Sequence, residues 1–179
     1  MLNFMKQPSW ILTVIAMTST AYAAPLMGQP LNTKNIGLCV QYGCQLTKKQ
    51  KVTDEYIPYP QTSYTYKVKT LNANLVITTR TKDNMAIEFD IDVPRYPLDA
   101  HDEAIFLKLI QQVTGGSYRI EILSRCFQKL EAAGGDSRMP NDDGFAEELM
   151  LARDHIGVKC FTKPFGNSQS SGIRIFFGD

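Results

Sequence analysis

Glu88, Asp90 and Asp92 recur at every second position of one apolar run. Carboxylates so spaced can bind a cation, or divide acid and base roles as a pair does in glycosidases. On an extended backbone each would lie about 7 Å from the next along one face. The same pattern suits outward acids that pair across strands with bases such as Lys67, Lys69 and Arg80, which is the expected reading. An imidazole base can come only from His101 or His155. His101 stands beside Asp102 and Glu103 where a helix is expected to begin, and His155 where another is expected to end, a position whose dipole favours the charged ring. No spacing ties either to a nucleophile, and G-x-S-x-G, S-x-x-K and H-E-x-x-H are absent from residues 24–179. No motif names a catalytic residue.

Cys39, Cys44, Cys126 and Cys160 offer redox chemistry, zinc ligation or cross-linking. C-x-x-C is absent, and two histidines without H-x3-H or C-x2-C spacing would leave a zinc site to assemble from distant segments. Neither a metal nor a cofactor is expected. Four cysteines allow three pairings, of which Cys39–Cys44 and Cys126–Cys160 are preferred. Gly43 between the first two can supply the turn that brings them together, and the second pair would close a loop of about 35 residues.

Binding chemistry has its own signal. Tyr56, Ile57, Pro58, Tyr59 and Pro60 are followed by Tyr64 and Tyr66, and Tyr96 stands between Pro94 and Pro97. Tyrosine presents an apolar ring and a hydroxyl at low entropic cost, and proline holds the chain extended, so these tyrosines are candidate contacts for a peptide, sugar or protein. Alternating Tyr64 and Tyr66 also suit a sheet's core face. Lys48, Lys49 and Lys51 read as a solvated loop. The polar stretch Gly134 to Gly144 fails as a calcium loop, because Met139 and Met150 fall where carboxylates are required. It reads as a long mobile connection.

Lys6, the apolar run Trp10 to Met17 and the A-x-A pattern at Ala21 and Ala23 have the order of an export signal over residues 1–23, leaving 24–179 as a single domain. The run is far shorter than the roughly twenty residues a spanning helix needs, and no later segment is long and apolar enough, so no stable membrane insertion is expected after cleavage. Removing residues 1–23 takes away one of 19 basic residues and none of the 18 acidic ones, bringing the formal charge from +1 to about zero. Such a chain lacks the basic face a nucleic-acid binder needs. The remaining ~156 residues can build their own core, so disulfides would reinforce the fold.

The elements that must position these residues follow from periodicity. A short helical segment is expected near Ile36 to Tyr42, and Lys48 to Asp54 reads as a loop. Period-two alternation then predicts a three-stranded meander through Tyr64–Val68, Leu75–Thr79 and Met85–Val93. Asp99 caps a helix bearing Ile105, Phe106, Leu109, Ile110 and Val113, and a second helix over Ser117–Ala133 turns Leu123, Cys126, Phe127 and Leu130 inward. Asp143–His155 suggests a third helix, and Val158–Thr162 with Ile173–Phe177 a closing hairpin on the same sheet. Residues 24 to 34 suggest a loosely held terminus. The expected class is α+β: a mostly antiparallel sheet, meander plus C-terminal hairpin, with two to three helices on one face.

These readings favour a small periplasmic or secreted protein that binds an envelope or secreted partner without catalysis, as an inhibitor, neutralising or assembly accessory protein. The alternative is a hydrolase of an envelope polymer using scattered carboxylates and histidine.

Overall fold

The computed structural model describes residues 25–53, 57–132, 146–153, 155–166 and 168–177. The segment read as an export signal, Tyr56 and the stretch Gly134 to Gly144 therefore lie outside the described residues. Seven antiparallel strands form one sheet in the order β1-β2-β3-β4-β7-β6-β5. They are β1 (Cys44–Val52), β2 (Gln61–Val68), β3 (Ala73–Arg80), β4 (Met85–Val93), β5 (Ala146–Arg153), β6 (Ile156–Phe165) and β7 (Ser168–Phe177). Three helices accompany them: α1 (Gly37–Tyr42), α2 (Ala100–Thr114) and α3 (Ile120–Ala132). The α+β class, the meander and the closing hairpin are as expected, and the hairpin docks through β7 onto β4.

Alternation along β2, β3, β4, β6 and β7 sends Tyr66, Leu75, Ile77, Phe89, Ile91, Val158, Cys160, Ile173 and Ile175 into one core with Phe106, Leu109, Ile110, Leu123 and Phe127 of the helices. α2 begins where the Asp99 carboxylate accepts the Asp102 N–H at 2.8 Å, and ends at Gly115, whose φ of +71° only glycine adopts without strain. That backbone hydrogen bond holds the Asp99 carboxyl below its ordinary pKa. A depressed folded-state pKa means a contribution present above the unfolded value and lost as pH falls through the folded one. Asp99→Ala is therefore expected to lower the thermal midpoint at pH 7, with the difference from wild type shrinking below pH 4. A deficit independent of pH would show that the cap does not act through its charge.

Both expected disulfides are present, Cys39–Cys44 and Cys126–Cys160, the latter joining α3 to β6 over a separation of 34 residues. The described cysteines are all cross-linked.

Three expectations are corrected. The segment beginning at Lys48 is not a loop but most of β1, paired with β2 from Cys44↔Val68 to Val52↔Gln61 with a bulge at Thr47. It lies at the sheet edge and is exposed along both faces, so no apolar alternation marks it. The expected third helix is replaced by β5 over Ala146–Arg153, paired with β6. Ala, Glu, Leu, Met and Arg favour a helix intrinsically, but the open edge of β6 and the α3 lid offer a long ladder that overrides so weak a preference. The chain from Pro25 is not loose: Leu26 and Met27 donate to Gln112 and Val113 carbonyls of α2, and Gly28 and Gln29 exchange hydrogen bonds with Ala86 of β4.

Candidate interaction surface

Helices cover one face of the sheet, and the other carries the acids read as a ladder. Asp90 lies opposite Arg174 of β7 and accepts its guanidinium at 3.0 Å. Asp92 is buried and accepts from Lys163 of β6 at 2.9 Å and from Asn74 at 3.3 Å. Cross-strand pairing is thus as expected for these two, but the bases are Arg174 and Lys163 and not Lys67, Lys69 or Arg80, because β4 is hydrogen-bonded to β7 as well as to β3. Burial raises the Asp90 pKa, against the opposing pull of Arg174. Glu147 of β5 extends the network to Lys159 and, at 3.8 Å, to Arg174. Asp90 and Asp92 are thus held as counter-ions inside a lattice of bases. Among the described residues, no group of three or more His, Cys, Asp or Glu side chains is placed to hold a metal ion.

The histidines belong to separate elements. His101 is exposed in the first turn of α2, edge-on to Tyr42 with centroids 6.4 Å apart. His155 is exposed in the β5–β6 turn with φ of +64°.

The tyrosines divide between core and edge. Tyr66 is 8% exposed, and burial raises its pKa. Tyr64, on the same helix-covered face, donates its hydroxyl to Asn84 Oδ1 at 3.1 Å. Tyr96 packs against the core beyond β4, and its pKa is likewise raised by burial. Tyr59 is half-buried in the β1–β2 connection, its ring centroid 5.8 Å from the Arg80 guanidinium. Lys49 lies 5.1 Å over the Tyr64 ring, which ties the tyrosines of β2 to the edge strand beside them.

That edge strand is the feature periodicity could not find. β1 has nine residues, of which the seven between its half-buried ends are exposed on both faces. Cross-strand partners place Lys49 and Lys51 on the helix-covered side, opposite Tyr64 and Thr62, and Lys48 on the other, opposite Thr65. The strand carries no acid. Six bases elsewhere on the fold have carboxylate partners: Arg80 with Asp83, Arg95 with Asp102, Lys129 with Glu148, Lys159 with Glu147, Lys163 with Asp92 and Arg174 with Asp90. Lys48, Lys49 and Lys51 have none among the described residues. A chain of formal charge +1 thereby keeps a local positive strip along a strand whose outer side has no neighbouring strand among the described residues. Comparison with known protein families, curated proteins and solved structures returns no match.

A second concavity of about 550 Å³ lies under the N-terminal segment. Leu26, Leu31, Ile36, Ala86 and Phe89 line it, with Gln29, Asn32 and Asn35 as its polar groups. Ile36, Ala86 and Phe89 are almost wholly buried, so its apolar contact comes from Leu26, Pro30 and Leu31.

Proposed function

We propose that this chain is a small exported binding protein, periplasmic or secreted, that acts without catalysis on an envelope or secreted protein as an inhibitor, neutralising or assembly accessory protein. The observation that carries the reading is β1: a long edge strand, open on both faces, whose three lysines have no carboxylate partner among the described residues. Edge strands unprotected by a neighbour are used to recruit extended segments of other proteins. Two disulfides suit an oxidising compartment, and no described helix is long and apolar enough to cross a membrane.

The test is recovery of partners from envelope extracts on immobilised protein residues 24–179, compared with Lys48→Glu, Lys49→Glu and Lys51→Glu together. Wild type should enrich one protein reproducibly and the triple variant should lose it while its circular dichroism and melting stay unchanged. Turnover of peptidoglycan, ester or peptide substrate by wild type, abolished by Asp90→Asn without unfolding, would replace this reading with the hydrolase.

A further inference from the structure

Resting on the binding reading above, we infer that β1 accepts an acidic extended segment as an eighth, antiparallel strand, and that its lysines dictate an E-x-E-E pattern in that segment. Beyond the bulge at Thr47, the run Lys48 to Val52 pairs with β2 in regular register, so its outer side presents an undistorted ladder. In an antiparallel pair, residues directly opposite each other share a face. A partner residue opposite Lys51 is followed two positions later by the residue opposite Lys49, on the same side, and then by the residue opposite Lys48 on the other. Acids at those three places give E-x-E-E, whereas parallel addition would demand E-E-x-E.

Charge also decides against the obvious competitors. Lysines on an edge strand commonly guard against pairing with neutral strands, and a second copy would set three lysines against three. The opposite edge of a second copy, β5, does carry Glu147 and Glu148, but these are already held by Lys159, Arg174 and Lys129. β5 is itself bulged between Leu149 and Leu151. An acidic strand from another protein meets neither obstacle.

The test uses a capped peptide, Thr-Val-Glu-Val-Glu-Glu-Val-Thr, and a scrambled peptide of the same composition. Binding is measured by calorimetry, and the site by amide hydrogen exchange of residues 44–52. The E-x-E-E peptide should bind, slow exchange along β1, weaken as salt rises, and lose about tenfold or more in affinity when Lys48, Lys49 and Lys51 are changed to Glu. A peptide with lysines at the three acidic positions should prefer that triple variant. Equal binding of the scrambled peptide, or binding without protection of β1, would overturn strand addition in favour of diffuse attraction. Concentration-dependent dimers lost in the triple variant would assign the edge to a second copy and overturn the inference likewise. If no acidic peptide binds while wild type still recovers an envelope partner that the triple variant loses, the inference falls and the binding reading stands. If neither peptide nor partner binds, both fall.

Discussion

Cys126→Ala with Cys160→Ala is expected to lower the stability of the fold by about 4 kcal/mol in urea unfolding, the loop-closure value for about 35 residues. The cross-link matters here because of what it joins. α3 covers the half of the sheet formed by β6 and β5, and apart from the bridge and its apolar stripe it is tied to β5 by the Lys129–Glu148 pair at 2.7 Å, which is largely exposed and contributes little. Both sulfurs are buried, so nothing from solvent replaces them. Cys39→Ala with Cys44→Ala closes a much shorter loop and should cost about 2 kcal/mol. Hydrogen exchange should show the difference in place: loss of the first bridge loosens β5 and α3, loss of the second loosens α1 and the start of β1. Equal unfolding midpoints for the 126/160 variant and wild type would show that the cross-link only decorates a half-sheet already secured by packing.

Gly172→Ala is expected to cost about 2–3 kcal/mol, and Gly157→Ala about 1 kcal/mol or less, although each glycine sits under an aromatic ring of the neighbouring strand. In the β6–β7 ladder Phe161 lies opposite Gly172 and Phe176 opposite Gly157. A methyl on Gly157 would strike only the Phe176 ring, a side chain that can swing away. On Gly172 it would strike both the Phe161 ring and the carbonyl oxygen of Ile91. That carbonyl belongs to β4, which is bonded to β3 on one side and β7 on the other, so it cannot retreat without disturbing two ladders. Phe161 is 2% exposed and has little room to move. Chemical denaturation of the two single variants measures the contrast. If the costs are equal, or Gly157→Ala is the worse, backbone approach at Gly172 is not what demands glycine there.

The parts of this molecule legible in its sequence are those whose signals are local. Met85 to Val93 alternates because one face of β4 meets the helices, and the α2 stripe from Ile105 to Val113 repeats because the opposite surface meets water. The cysteine pairing was readable for a similar reason: Gly43 allowed the short bridge, and helical spacing turned Cys126 inward. β5 was not readable, since Glu147 to Ala152 favours a helix in isolation and becomes a strand only beside β6. Nor was the anchoring of Leu26 to Gln29, which rests on backbone hydrogen bonds to α2 and β4 that leave no side-chain pattern.

Candidate sites divide along the same line. Asp90 and Asp92 were visible as an outward ladder, yet their partners, Arg174 and Lys163, stand 84 and 71 residues away and depend on which strand docks beside β4. Tyr64 and Tyr66 were visible as an aromatic pair, and strand parity turned them toward the helices. Lys48, Lys49 and Lys51 looked like a loop because a strand exposed on both faces has no reason to alternate. By itself the sequence determined the α+β class, the helix stripes and the meander, because burial period and turn chemistry are written within a dozen residues, and it favoured one of three cysteine pairings that only the structure decided. Only the tertiary structure decided which strand stands at the edge and which cations keep no carboxylate partner among the described residues, because an edge is defined by the neighbour it lacks and a charge by what the folded sheet brings beside it.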